Sequence, residues 1–295
     1  MNEENDYFGA VLKKINAKFC MPVDLSEKKA PHPFLRWTGS KNWLIKDGIQ
    51  NYLPKKFNNY HEPFLGGATL FFYLSPSKKS FLSDLNEELI LTYTQLRDNV
   101  EEVIGSLKRL RNSESEYYRI RKSKPKTDHS KAAKFIFLNR TSFNGIYRVN
   151  SKGEYNVPYG KRPNVDTITK DNLRQVSNAL RGININHSDF ENVLRNVDRG
   201  DLVFLDPPYT ITHENNGFIE YNKKLFSWED QERLARTVIE IDKHGAYFIL
   251  TNACHYTINN LYNGIGNIFK LERYSKVGGR NKTRGMFNEL IITNV

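Results

Sequence analysis

The sequence predicts an α/β domain with a largely parallel β-sheet, interrupted by an insertion that combines helices with a β-hairpin. Three observations carry this prediction. β-Rich runs alternate with helical segments, a pair of glycines follows the first β-rich run, and a central segment breaks the alternation. Strands that alternate with helices are typical of a parallel sheet with helices on its faces.

The first part of the chain supplies an appended helix and the start of the sheet. Apolar residues recur at helical spacing over residues 6–19 and precede a proline-containing linker, so we treat residues 1–30 as an N-terminal extension. Next we predict a helix from Ser40 to about Tyr52, a strand at YHEPF (60–64), a helix at ATLFFYL (68–74), a strand at SFLSDLN (80–86) and a helix from Asn86. Residues 31–106 thus form the first part of the α/β domain.

The alternation resumes after the insertion. Further strands are predicted at ININH (183–187), DLVFLD (201–206) and AYFILTN (246–252), and a helix capped by Ser227 lies between the last two. Residues 183–295 are therefore the second part of the α/β domain.

The insertion differs in character from both parts. Residues 107–140 are helical and charged, and YRVNSKGEYNVPYG (147–160) has period-two apolar spacing around a Ser-Lys-Gly turn, which predicts a β-hairpin. We place the boundaries of this inserted domain at residues 107 and 182.

The positive charge of the chain is concentrated in the insertion. Residues 108–162 contain fifteen Lys and Arg against four Asp and Glu, which equals the whole net charge of +11, and aromatic residues are interleaved with them. A face of this kind is typical of nucleic-acid binding, because contacts to phosphates release counterions. The alternative is a solvated basic surface. Since no apolar run reaches the length of a membrane span and the first residues are acidic, we expect a cytoplasmic protein without membrane attachment.

The glycine pair Gly66-Gly67 follows the strand at YHEPF and opens a helix. In an open parallel sheet this turn is where a nucleotide cofactor binds, because glycine lets the backbone approach the ligand closely. The next strand ends at Asp84, whose carboxylate can accept hydrogen bonds from ribose hydroxyls or can cap the following helix. These features fit NAD as well as S-adenosylmethionine.

The segment Asp206-Pro207-Pro208-Tyr209 separates these possibilities. It can be a simple strand terminator, since proline cannot donate to a sheet ladder. It also suits alkylation of an exocyclic base amine, a poor nucleophile whose N–H hydrogens must be accepted and whose nitrogen must be aimed at the electrophile. The Asp206 carboxylate and the Pro207 carbonyl can do this, and Tyr209 offers a face for an extruded base. The electrophile would then be the methyl group on a sulfonium, with no metal ion.

Seven segments in order resemble the motifs of Dam-type (alpha-class) DNA adenine methyltransferases. They are FLRWTGSK (34–41), EPFLGGATLFF (62–72), FLSDLNEEL (81–89), FLNRTSFNGIYRVNSKGEYNVPYG (137–160), HSDF (187–190), VFLDPPY (203–209) and GGRNKTRGMFNELIITN (278–294). The resemblance implies a Rossmann-like, S-adenosylmethionine-dependent methyltransferase sheet, in which the insertion is the target-recognition domain. It also implies methylation of the 6-amino group of adenine in double-stranded DNA by base flipping, with S-adenosyl-L-homocysteine as product.

The resemblance also implies roles for individual residues. The catalytic set is Asp206, Pro207, Pro208 and Tyr209, and the cofactor-binding set is Trp37, Lys41, Phe64, Gly66, Gly67, Asp84, Asp189, Phe190 and Asp206. The DNA-binding set is Asn139, Arg140, Phe143, Asn144, Ile146, Arg148, Asn150, Asn156, Pro158, Lys161, Arg162, Arg280 and Lys282. The chain departs from the family pattern at Ala68, where a third glycine is common, and at Lys161-Arg162, so the family's best-known target sequence cannot be assumed.

Alternative functions remain open at this point. One is a methyltransferase acting on cytosine, RNA or a protein amide, although the amide enzymes tend to carry Asn in place of Asp206. Another is a DNA-binding regulator without activity, although the cofactor and catalytic motifs are both intact. The planar fork of Arg148, together with the resemblance, favours a guanine beside the target adenine, as in GATC. We expect a monomer, since an asymmetric target base needs no two-fold protein, with a dimer as the alternative. A restriction endonuclease is compatible with the resemblance as a functional partner.

Overall fold

The computed structural model describes residues 30–162, 164–165, 169–210, 226–275 and 285–295. Pro31–Val295 form one compact unit. The helix predicted over residues 6–19 lies outside the described residues, as do Arg280 and Lys282.

A seven-stranded sheet forms the centre of this unit. Its strands are β1 (Tyr60–Glu62), β2 (Ser80–Asp84), β3 (Asn184–His187), β4 (Leu202–Leu205), β5 (Tyr247–Ala253), β6 (Asn267–Ser275) and β7 (Gly285–Thr293). Their order is β3-β2-β1-β4-β5-β7-β6. Strands β1 to β5 pair in parallel, whereas β7 is antiparallel to both β5 and β6. The predicted α/β class with a mostly parallel sheet is confirmed.

The sheet is buried on both faces at its centre. All four residues of β4 are buried, and they alternate between two apolar clusters. Phe204 joins the cluster on one face, and Val203 and Leu205 join the cluster on the other. This burial explains why the strand reads as a continuous apolar run, as expected for a parallel strand covered on both sides.

Helices surround the sheet. They are α1 (Asn42–Lys46), α2 (Thr69–Leu74), α3 (Glu87–Asp98), α4 (Val100–Leu107), α5 (Glu114–Lys122), α6 (Asp128–Thr141), α7 (Lys170–Leu180), α8 (Trp228–Lys243) and α9 (Tyr256–Tyr262). Short 3-10 helices occupy Ile49–Tyr52, Phe143–Gly145 and Phe190–Arg195. Helix α8 begins as predicted, because the Ser227 side chain accepts from Asp230 N–H while the Asp230 carboxylate accepts from Ser227 N–H.

Some elements differ from the sequence prediction. The helix expected from Ser40 to Tyr52 is divided at Gly48, which has a φ of 99°, a left-handed conformation that suits glycine. The predicted hairpin pairs through two isolated antiparallel bridges, Ser142 with Tyr159 and Val149 with Tyr155, and not through regular strands. Helix α7 and the antiparallel pair β6–β7 were not predicted.

The helices of the central segment pack against the α/β elements. Tyr117 of α5 and Phe137 of α6 are fully buried and belong to the same apolar cluster as Leu89 of α3 and Leu173 of α7. The Tyr117 hydroxyl donates to the Val157 carbonyl at 2.8 Å, which attaches the hairpin to α5.

Candidate active site

The site lies where the chain order of the sheet reverses. Strand β1 is central and has β2 on one side and β4 on the other. In an open parallel sheet, ligands usually bind in a crevice at such a reversal. The loops that follow the two neighbouring strands run in opposite directions there and leave the crevice between them. Here the two loops carry Gly66-Gly67 after β1 and Asp206-Pro207-Pro208-Tyr209 after β4.

The glycine turn packs closely against Trp37. A Cβ atom on Gly66 would lie 2.8 Å from Cδ1 and Nε1 of Trp37, and one on Gly67 would lie 3.1 Å from Trp37 Cβ. Gly66 also has a φ of 45°, which other residues seldom adopt. Ala68 adopts a similar φ of 51° at the N-terminus of α2, so this departure from the family pattern keeps the backbone conformation that a glycine would favour.

Asp84 is linked to the glycine turn. Its Oδ2 accepts from Gly66 N–H at 3.0 Å and its Oδ1 accepts from Asn86 N–H at 2.9 Å. The side chain that caps α3 is Asn86, which accepts from Leu89 N–H, so Asp84 is not the N-cap of that helix. Burial raises the pKa of Asp84, partly offset by the backbone hydrogen bonds.

Lys41 connects the N-terminal motif to the DPPY segment. Its Nζ lies 2.7 Å from Oδ1 and 2.8 Å from Oδ2 of Asp206, and it also donates to the Gly39 carbonyl at 2.8 Å. On β5, the buried Thr251 hydroxyl donates to Asp206 Oδ1 at 2.7 Å. The carboxylate of Asp206 is therefore fixed in direction by two donors.

Tyr209 is held close to Asp206. Its hydroxyl donates to Glu289 Oε2 of β7 at 2.8 Å, and Lys41 Nζ lies 5.2 Å from the centre of its ring. Behind the loop, the Gln231 amide donates to the Thr210 hydroxyl at 3.1 Å and accepts from Asn252 at 3.0 Å. The structure thus places Lys41 against Asp206 and Tyr209 of the predicted catalytic set, and Trp37 against Gly66 and Gly67.

The remaining predicted cofactor residues are two stacked phenylalanines and the acid next to one of them, namely Phe64, Phe190 and Asp189. Phe64 stacks on Phe190 with ring centres 5.3 Å apart and an interplanar angle of 23°. Asp189 caps the following 3-10 helix and pairs with Arg233 of α8 at 2.9 Å. Arg233 also lies over the Phe190 ring at 4.8 Å, so the Asp189-Phe190 turn is restrained by α8.

Several residues of the site were not predicted from the sequence. Glu62 ends β1, is buried, and accepts from the Tyr60 hydroxyl at 2.9 Å. Burial raises the pKa of Glu62 to about 8, and the nearby charge of Asp206 adds to the increase. Thr251 and Glu289 were missed because they enter from β5 and β7. The available signals were an acidic residue in the predicted strand 60–64 for Glu62 and an acidic residue directly before the apolar run 290–292 for Glu289.

The predicted DNA-binding residues are divided between surface and interior. Phe143, Arg148, Pro158, Lys161 and Arg162 are exposed, whereas Asn144, Ile146, Asn150 and Asn156 are half-buried. Arg148 Nε donates to Asn156 Oδ1 at 2.8 Å, and Asn150 Oδ1 accepts from two backbone N–H groups of the hairpin turn.

Asn139 does not lie at this surface. It is 1% exposed, accepts from Arg36 N–H at 2.7 Å and donates to the carbonyls of Arg36 and Gly145. Its amide is committed to joining α6 to the N-terminal motif, so we withdraw it from the DNA-binding set. Arg140 is half-buried and donates to the Phe34 carbonyl at 3.0 Å. Burial and the nearby positive charges of Arg162 and Arg140 lower the pKa of Arg36. Residue 36 of the N-terminal motif therefore lies close to two arginines of the insertion.

The described ranges hold neither a membrane-spanning helix nor a cluster of metal-ligating side chains. None of their helices is long and apolar enough to cross a membrane. No group of three or more His, Cys, Asp or Glu side chains in those ranges is placed to hold a metal ion.

Comparison with known proteins agrees with this geometry. Residues 37–277 match the family model of the D12 class N6 adenine-specific DNA methyltransferases. The chain is 37% identical over 272 residues to the type II methyltransferase M1.LlaDCHI of Lactococcus lactis subsp. cremoris, covering 89% of this chain and 95% of the relative. It is 37% identical over 287 residues to the type II methyltransferase M.MjaIII of Methanocaldococcus jannaschii, covering 89% and 98%. It is 29% identical over 248 residues to the DNA adenine methylase of Haemophilus influenzae, covering 81% and 86%. The chain belongs to the D12 class of N6 adenine-specific DNA methyltransferases.

Proposed function

We propose that this chain transfers a methyl group from S-adenosylmethionine to N6 of an adenine that is flipped out of duplex DNA. The observation that carries the proposal is the contact of Lys41 with Asp206. Through this ion pair the DPPY segment lies beside Lys41, in the same N-terminal motif as Trp37, which contacts the glycine turn. Cofactor and base sites would therefore meet at the Asp206 carboxylate.

The residues present fit S-adenosylmethionine. The glycine turn leaves no room for a side chain against Trp37, so its backbone packs directly on the indole ring that the resemblance assigns to the cofactor. At the end of β2, Asp84 offers carboxylate oxygens for the ribose hydroxyls of the cofactor. The adjacent Leu85 is 56% exposed and offers an apolar surface for the adenine ring of the cofactor. When bound, this cofactor supplies an electrophilic methyl group on a sulfonium.

The DPPY segment would hold the base amine in place. In the proposed complex the Asp206 carboxylate accepts one N–H of the adenine 6-amino group and the Pro207 carbonyl accepts the other, which directs the nitrogen towards the methyl group. As the bond between this nitrogen and the methyl carbon forms, the bond from that carbon to the sulfonium sulfur would break, and the nitrogen would release one proton to solvent. Two prolines limit the backbone freedom of this loop. Lys41 and Thr251 keep the carboxylate oriented, and Tyr209 stacks on the extruded base.

We further propose that residues 107–182 form the target-recognition domain and that the hairpin approaches the DNA. Exposed Arg148 on the hairpin has a planar guanidinium that can donate two hydrogen bonds to the major-groove edge of guanine. Exposed Lys161 and Arg162 suit phosphate contacts, which position the protein without reading sequence. The names of the two 37% identical relatives support a role in modification of a type II restriction target. We propose the monomer as the acting unit.

The direct test is methyl transfer itself. Purified protein is incubated with duplex DNA and S-adenosylmethionine that carries a labelled methyl group, and modified positions are read by sequencing. We expect label at N6 of adenine in one short sequence that contains a neighbouring guanine. Label on cytosine, on RNA alone or on protein would contradict the proposal.

A further inference from the structure

The contact between Tyr209 and Glu289 joins the DPPY segment to a distant strand. The Tyr209 hydroxyl donates to Glu289 Oε2 at 2.8 Å across 80 residues of sequence. Glu289 is 3% exposed and lies on β7 opposite Ala253 of β5. The carboxylate therefore reaches the site from the antiparallel strand β7, which lies within the last motif segment, 278–294.

A carboxylate at this position needs a reason. The three residues that follow Glu289 on β7, Leu290, Ile291 and Ile292, are buried and apolar. Removing a carboxylate from water is costly unless hydrogen-bond donors replace the water, and Tyr209 is such a donor. Burial and the charge of Glu289 raise the pKa of Tyr209 well above its ordinary value, so its hydroxyl keeps the proton that it donates.

The ring of Tyr209 is thereby restrained at two places. Glu289 fixes the hydroxyl at one end of the ring, and Lys41 Nζ lies 5.2 Å from the ring centre. Lys41 is itself fixed by Asp206. A phenylalanine would offer the same stacking surface but would lack the first of these restraints.

We propose that Glu289 is a positioning residue that holds the Tyr209 ring in the orientation in which it stacks on the flipped adenine. The inference rests on the proposed function and adds to it a residue outside the motif segment 203–209. It explains why the segment carries tyrosine and why a buried acid is present on β7. Glu289 acts through Tyr209 and does not contact the reacting atoms.

A double-mutant cycle tests the coupling. The variants are Tyr209→Phe, Glu289→Met and the double variant, and Glu272→Met on the adjacent strand β6, where Glu272 is exposed, is the matched control. The readouts are the rate constant of a single methyl-transfer turnover, the Kd for duplex DNA, and the emission of 2-aminopurine placed at the target adenine.

We expect each single change to lower the turnover rate constant roughly tenfold, because one hydrogen bond to a charged group is lost, and the double variant to be no slower than the slower single variant. The DNA Kd should stay within about twofold in all variants, since no phosphate contact is altered. Emission of 2-aminopurine should change with Glu289→Met as it does with Tyr209→Phe. Glu289→Gln, which retains an acceptor oxygen, should recover most of the rate.

Two outcomes would overturn the inference while leaving the proposed function intact. One is a double variant about a hundredfold slower, the product of two independent losses. The other is a Glu289→Met protein with unchanged rate. A variant that only folds poorly would lower the active fraction and not the rate constant. Should Glu289→Met not fold, the cycle is run with Glu289→Leu, which also lacks an acceptor and whose effect must vanish in the Tyr209→Phe background. Failure of the wild-type protein to methylate adenine would instead refute the proposed function.

Discussion

Lys41 and Asp206 form a partly buried salt bridge between two segments that are 165 residues apart in the chain. Lys41 Nζ lies within 2.8 Å of both carboxylate oxygens, and its side chain is 4% exposed against 21% for that of Asp206. The lysine that the family resemblance assigns to the cofactor thus contacts the carboxylate assigned to the target base. One pair of residues links both halves of the proposed reaction.

Asp206→Asn should abolish measurable methyl transfer while DNA binding persists, because an amide oxygen is a weaker acceptor than a carboxylate. The measurement is incorporation of labelled methyl groups, with a gel-shift titration for DNA binding. Asp206→Ala is a less clean test, since it leaves the buried ammonium of Lys41 without this partner, which also destabilises the fold. Near-normal turnover of the Asn variant would refute the assigned role.

Lys41→Met should weaken cofactor binding and slow methyl transfer together, because one side chain serves both the N-terminal motif and Asp206. Calorimetric titration with S-adenosylmethionine and single-turnover assays measure the two effects, and the DNA Kd should not change. Lys46→Met is the matched control, since Lys46 is exposed at the end of helix α1, which begins directly after Lys41. Equal losses in the two variants would contradict a specific role for Lys41.

Glu62 should make the stability of the protein fall as the pH rises. Its pKa is about 8 in the folded protein against an ordinary value of 4.5. Between these values the carboxyl is ionised in the unfolded chain and protonated in the folded one, so stability present at low pH is lost at up to about 1.4 kcal/mol per pH unit.

The Glu62→Gln variant isolates this effect. Glutamine can still accept from the Tyr60 hydroxyl but does not titrate. Urea unfolding between pH 5 and pH 8 should show the wild type losing stability relative to the variant as the pH rises, because other groups such as His61, whose pKa is lowered by burial, cancel in the comparison. Parallel pH profiles would show that Glu62 does not titrate in this range.

Arg148→Ala should relax discrimination at one base pair by roughly 1–3 kcal/mol if its guanidinium reads guanine. If it contacts phosphate, all sequences should bind more weakly and the salt dependence should become flatter. Binding competition among duplexes with single-base changes separates the two. Asn156→Ala should show part of the same loss, since Asn156 accepts from Arg148, and Lys152→Ala at the exposed turn is the control.

The ordered strands of the motif segments could be predicted because their pattern is local. The glycine turn, Asp84 at the end of β2 and Ser227 at the start of α8 each depend on neighbouring residues. The pairing of β6 with β7 could not be predicted in this way, because antiparallel strands at the sheet edge need contacts between distant segments. The burial of Asn139 could not be predicted either, because it depends on hydrogen bonds to the backbone of Arg36, which is distant in the chain.

The sequence by itself determined the α/β class, the order of the motifs and the family, because these depend on apolar periodicity and on residue types at fixed spacing. Only the tertiary structure decided that Lys41 pairs with Asp206, that Thr251 donates to the same carboxylate and that Glu289 holds Tyr209. Such contacts join residues far apart in the chain. They exist because the parallel sheet brings the carboxyl ends of β1, β4 and β5 to one edge, where β7 pairs antiparallel with β5.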